Sequence, residues 1–152
     1  MQIANWMKHP VYTVKPLDSI RRARAIMEEH RVNQLPVVVN GRLVGIVTDR
    51  DLRDAFPSVF DEPQHGEHPG GDPDTITVES VMTPNVLTLG PKDTVATAAA
   101  LMRRERIGAV PIVDAHRLVG ILARSDVLEA FTGLSGVAEQ ATPSPTSRRP
   151  TS

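Results

Sequence analysis

"GRLVGIVTDRDLRDAF", residues 41–56, recurs 75 positions later as "HRLVGILARSDVLEAF", residues 116–131. Extending the match outward aligns residues 6–56 with 81–131 without a gap, and 19 of the 51 pairs are identical. They include Met7 with Met82, Thr13 with Thr88, Pro16 with Pro91, Asp18 with Asp93, Met27 with Met102, Pro36 with Pro111, Gly45 with Gly120 and Asp51 with Asp126. A self-match at one fixed offset marks a duplicated supersecondary unit, so one small fold is written twice.

Within each copy the hydrophobic period changes in the same order. "VYTV" (11–14) and "VLTL" (86–89) are short β-prone runs, each soon followed by a proline that cannot continue a ladder. A helical stretch follows, with Ile20, Ala23, Met27 and His30 recurring on one face behind Asp18 as the expected N-cap, and Val95, Ala98, Leu101 and Met102 doing the same in the second copy. "LPVVV" and "LVGIV" are apolar strands joined through Asn40-Gly41, a strong hairpin signal, and a short helix closes the unit. The expected fold is of the α/β (α+β) class, β-α-β-β-α twice. Unit 1 spans 1–56 and unit 2 spans 75–131. Between them lies a Pro-, Gly- and acid-rich linker, 57–74, and after them a tail, 132–152, too polar to offset its ordering entropy and expected to be disordered. A unit of roughly 50 residues is marginal on its own. The two are therefore expected to pack strand surface to strand surface about a pseudo-twofold axis, leaving two related clefts.

Composition narrows the function. Seventeen basic against 18 acidic residues give a net charge of -1, so no global field draws the chain to nucleic acid or a membrane surface. There is no cysteine, hence no disulfide framework, thiolate nucleophile or Cys-based zinc site. The N-terminus lacks a signal-peptide pattern and no apolar run reaches the ~18 residues of a membrane span, so a soluble cytoplasmic protein is expected.

The repeated phrase supports two readings. In the first, "LVGIV" ends at a turn opening a helix, whose backbone N–H groups favour an anion; Gly45 clears room for a ligand, Asp51 accepts from a ribose diol, Thr48 adds a hydroxyl and Arg50 a guanidinium for phosphate. In the second, T-D-R-D is a capping box, with Thr48 and Asp51 serving only the helix start. The four residues leave both open.

The duplicated "T-h-x-P-x-D-S/T" opening, the "h-P-h-V" strand and the "G-h-h-T-x-x-D" closing phrase together resemble a tandem cystathionine-β-synthase (CBS) domain pair, or Bateman module, over nearly all of residues 3–131. Within that family, "TDRDLR" and the longer inter-unit segment are similar to the acetoin-utilisation accessory proteins, although the C-terminal domain often present there has no counterpart in residues 132–152. The resemblance implies an adenine-nucleotide ligand, AMP, ADP or ATP, or else S-adenosylmethionine or NAD, with no reaction and no required cofactor. Carried over by position, Asp51 holds the ribose and Thr48 touches ribose or phosphate, with Val11–Thr13 and Val32, Asn33 and Gln34 near the adenine. Arg106, Ile107 and Gly108 contribute phosphate or base contacts. In the second copy Asp126 persists, Ala123 lacks the hydroxyl of Thr48, and Ser125 partly replaces it, so the Thr48/Asp51 cleft is expected to be the stronger site.

Other constellations carry less. His65, Glu67 and His68 read as linker residues, since spacing alone does not make a metal site, His30 reads as a boundary residue, and Thr48, His9 and Asp51 make only a forced triad. The expectation is a regulatory nucleotide-binding module, not an enzyme, that forms a homodimer and acts on a protein partner. Its competitor is a structural dimerisation scaffold whose clefts stay empty.

Overall fold

The computed structural model describes residues 1–56 and 73–141, with side chains as far as residue 133. Most of the expected linker, and the tail beyond 141, lie outside the described residues.

The α+β architecture is as expected. Helix α1 (Ile20–His30) leads into the hairpin β1 (Gln34–Val39) and β2 (Arg42–Thr48), then α2 (Asp49–Ala55); β3 (Thr83–Pro84) begins the second half, followed by α3 (Val95–Glu105), the hairpin β4 (Ala109–Asp114) and β5 (Arg117–Ala123), and α4 (Arg124–Ala141). The repeat extends to irregularities. Both hairpins slip register at equivalent places, between Val37 and Val38 and between Ile112 and Val113. Asn40 and Gly41 both take positive φ, 52° and 83°, as a tight primed turn requires. Ala115 and His116 adopt the same conformation at 51° and 68° without a glycine to relieve it.

Three local expectations need correction. The first strand of each unit is reduced to a single parallel bridge, Val14 to Val37 and Leu89 to Ile112. Asp18 does not cap α1: Ser19 does, its Oγ accepting from Arg22 N at 3.1 Å, and Thr94 caps α3 in the same way. Asp18 and Asp93 sit one residue earlier and close the preceding turns, accepting from Lys15 N at 2.8 Å and Gly90 N at 2.7 Å. The tail expected to be disordered from 132 is helical as far as Ala141. Once α4 is nucleated each further residue adds a hydrogen bond, which carries the helix through Gly133 and Gly136.

Packing crosses between the units. Two core clusters form, one containing Ile20, Ala23, Met27, Leu35, Val37, Val47 and Leu52, the other Val95, Ala98, Met102, Val110, Ile112 and Leu122. The first is completed by Val78, with Ile76, Val81 and Met82 against it, although these residues lead into unit 2. The second is completed by Ile3, with Trp6 and Met7, which lead into unit 1. Each lead-in straps across its twin. Val95 N donates to Met1 O (2.9 Å) and Ile3 N to Asp93 O (2.8 Å); 75 residues on, Ile20 N donates to Ile76 O (2.9 Å) and Val78 N to Asp18 O (2.8 Å). The first helical N–H of α1 and of α3, which has no partner within its own helix, is thus satisfied by the other unit's lead-in. Further along, Thr83 pairs with Ile46 and Lys8 with Ile121.

The repeated glycines belong to this packing. A β-carbon on Gly45 would stand 2.5 Å from Met82 Sδ, and one on Gly120 would be still closer to Met7 Sδ and 2.9 Å from its Cγ. The space that the sequence suggests for a ligand is therefore filled by a methionine of the opposite strap.

A unit cut at its repeat boundary lacks part of its own core. Full burial of a side chain such as Val78 stabilises by about 1.5–3 kcal/mol, and the isolated segment 1–56 is expected to show no cooperative melt. At nearly equal length, fragment 9–84, which includes the strap over α1, is expected to carry more helical circular dichroism than fragment 1–75. Equal signals would show that the crossed straps contribute little.

Candidate functional site

The strap geometry builds a cleft. After Lys8 the backbone leaves β5, and by Val14 it has reached β1, so residues 9–12 bridge the gap between units. Beneath them lies a cavity of about 720 Å3, within the usual range for a small-molecule site. It is lined by Met7 to Tyr12, by the α1–β1 junction Arg31, Val32, Asn33 and Gln34, and by Gly108, Ile121 and the start of α4, Ala123 to Asp126. Tyr12 is fixed at the mouth by stacking on His30, ring centroids 3.7 Å apart and 12° from parallel.

Asp126 is the one buried charged side chain among the described residues, 2% exposed. Its Oδ2 accepts from Ala123 N at 2.7 Å and its Oδ1 is paired with Lys8 Nζ. A carboxylate buried this deeply is strongly disfavoured unless paired, and Lys8, whose side chain remains 66% exposed, supplies the charge from the strap. Two further cations, Arg31 and Arg124, line the same cavity. Arg31 is held in the left-handed region (φ 56°) as the C-cap of α1, and Arg124 reaches towards Ile107 O at 3.5 Å.

The unit 1 copy of the phrase is arranged as a helix start. Thr48 Oγ1 accepts from Asp51 N at 3.1 Å while Thr48 N donates to Asp51 Oδ2 at 2.9 Å, a complete capping box on α2. In unit 2 only the second half survives, because Ala123 has no hydroxyl to cap α4.

The sequence reasoning grouped Asp51 with Val11–Thr13 and Val32–Gln34. The structure groups Val11, Val32, Asn33 and Gln34 with Asp126, Ser125 and Gly108. The reason is the strap: the segment carrying Val11 emerges from unit 2, so it covers the phrase of unit 2. Thr48, Arg50 and Asp51 do not line this cavity, and Arg50 is exposed on α2. Thr13 faces an adjoining hollow of about 460 Å3 with Val11, Val38 and Leu118. Arg106 caps α3 with φ 57°, and neither it nor Ile107 lines the first cavity. Lys8, Arg31 and Arg124 were missed. A signal for Lys8 existed, since the repeat sets it opposite Thr83, a charged position in one copy alone. His65, Glu67 and His68 lie outside the described residues, among which no group of three metal-binding side chains occurs. No described helix is long and apolar enough to cross a membrane.

Two strand-and-helix units strapped together, with a ligand-sized cleft between them, define a tandem module of one repeated fold. The chain belongs to the CBS domain family, which it matches at residues 3–58 and 78–133. It is 33% identical over 125 residues to the CBS domain-containing protein YhcV of Bacillus subtilis, covering 82% of this chain and 81% of that one. It is also 36% identical over 118 residues to the inosine-5'-monophosphate dehydrogenase of Korarchaeum cryptofilum, covering 77% of this chain but only 21% of that enzyme. Among solved structures, a putative acetoin utilization protein (AcuB) from Vibrio cholerae superposes with a TM-score of 0.75 at 25% identity, covering 94% of this chain and 98% of that one. The CBS domain pair of protein MJ0100, in complex with 5'-methylthioadenosine and S-adenosyl-L-methionine, gives 0.72 at 29% identity, covering 88% and 98%. CBSX2 in complex with AMP gives 0.72 at 27%, covering 88% and 97%.

The two N-cap residues, Thr48 and Ala123, differ by one hydroxyl, with measurable consequences. Removing an N-cap costs about 0.5–2 kcal/mol, so Thr48→Ala is expected to lower the unfolding free energy by that amount. Ala123→Thr, which completes the second box, is expected to raise it. Denaturant titrations of both variants check this; no gain from Ala123→Thr would mean that Asp126 alone already satisfies the start of α4.

Proposed function

We propose that this protein is a regulatory CBS pair that binds an adenosyl ligand in the Asp126 cleft and does not transform it. The observation that carries this reading is the buried Asp126 carboxylate facing a cavity of about 720 Å3 between the units. The complexes of the MJ0100 pair and of CBSX2 support an adenosyl ligand for a fold of this kind. In the proposed pose Asp126 accepts from the ribose hydroxyls, Ser125 adds a hydroxyl, and backbone of Val11 and of Val32 to Gln34 flanks the base with Gly108 opposite. AMP, ADP and ATP are the first candidates, with S-adenosylmethionine and NAD as the further members of the panel. The response is linkage: a ligand that favours one arrangement of the units shifts the population and alters what a homodimer presents to a cytoplasmic protein partner. The reading assigns the cleft binding and no catalytic step.

A ligand at 100 times its dissociation constant adds about 2.7 kcal/mol of stability, so melting shifts across the panel test the proposal directly. A panel without a single shift would leave the scaffold reading standing. Hydrogen bonds to a charged group contribute about 1.5–3 kcal/mol, and Asp126→Ala is therefore expected to weaken the bound ligand at least tenfold. Asp51→Ala is expected to lower stability through α2 and to leave affinity nearly unchanged. That order is the reverse of the one the Thr48 hydroxyl suggests, and calorimetry on the two variants decides between them.

A further inference from the structure

We propose that Lys8 is a charge latch on Asp126 that selects phosphorylated adenosyl ligands over neutral or cationic ones. The inference rests on the adenosyl reading of the cleft and names what that cleft prefers.

Asp126 has two oxygens, and both are engaged within the protein: Oδ2 by Ala123 N and Oδ1 by Lys8 Nζ. A ribose diol seeking this carboxylate must compete with an ammonium for Oδ1. Neutral adenosine offers Lys8 nothing in return, so displacement leaves a cation at the mouth without its partner. A 5'-phosphate offers the ammonium a second anion within the same cavity, and Lys8, two-thirds exposed on a long flexible stem, is free to swing to it. Removal of the latch and capture of the phosphate thus become one exchange.

The rest of the lining acts in the same direction. With Lys8 satisfied by Asp126, Arg31 and Arg124 remain as permanent cations lining the cavity, and Asp126 is the lone carboxylate lining it. Such a cavity attracts a phosphate and repels a sulfonium. The selectivity belongs to this cleft alone, because the repeat places Thr83 where Lys8 stands and Asp49 where Arg124 stands.

The test measures affinities of AMP, adenosine and S-adenosylmethionine for the full-length chain by calorimetry, with Lys8→Met and Lys8→Arg beside the parent. The parent is expected to bind AMP at least tenfold more tightly than either of the others. Lys8→Met frees Oδ1 and removes a phosphate partner, so adenosine should bind more tightly and AMP more weakly, and the preference should collapse towards unity. Lys8→Arg, which keeps both the charge and the fold, should retain it. A merely structural role for Lys8 would shift both ligands in the same direction. Binding with a preference that Lys8→Met leaves intact, or a parent that favours S-adenosylmethionine, overturns the latch and leaves the adenosyl reading in place. Binding of none of the three overturns both.

Discussion

The first turn of a helix leaves N–H groups that the helix itself cannot satisfy, and in this protein α1 and α3 each find one partner in the chain segment that introduces the other unit. The remainder of the structure follows from that exchange. Because Met1 and Ile3 are tied to the start of α3, Met7 is laid across Gly120 and Lys8 reaches β5. Because the chain must then return to β1 in its own unit, it crosses the interface and covers a cleft. The glycine in each "LVGI" suits this route, for a β-carbon there would press on the crossing methionine and force it to shift.

Much of the local fold was legible in the sequence because its causes are local. The buried faces of α1 and α3 were visible as Ile20, Ala23 and Met27 and as Val95, Ala98, Leu101 and Met102, and the β1–β2 hairpin was visible as Asn40-Gly41 between two apolar runs. The cap of α1 was misplaced by one residue, since Asp18-Ser19 offers two acceptors and only the backbone path decides which one faces the helix. The exchange of straps left no comparable trace. Ile3 and Val78 read as apolar residues ahead of a unit, and periodicity does not state which of two equivalent cores will take them.

The candidate site shows the same division. The sequence grouped Val11 and Val32 to Gln34 with Asp51, whereas the cavity they line contains Asp126, because membership of a cleft depends on the route of residues 9–12 through space. Capping and recognition also draw on the same atoms. Asp51 and Asp126 each accept from the backbone three residues earlier through Oδ2, so a phrase read as binding or as capping is structurally capping in both copies. What separates the copies is the other oxygen of Asp126, and the partner of that oxygen comes from more than a hundred residues away.

The reciprocal straps also bear on how asymmetry arises. Two identical units strapped together as separate chains would have to carry every substitution twice, once in each cleft. Joining them in one chain removes that constraint while keeping the twofold packing, since Gly45 with Met82 and Gly120 with Met7 still match. One copy can keep Thr48 and Thr83 in the service of helix and sheet while the other sets Ala123 and Lys8 about a buried carboxylate. Covalent linkage here lets a symmetric scaffold carry two unlike copies of one phrase, only one of them set around a charge drawn from the far end of the chain.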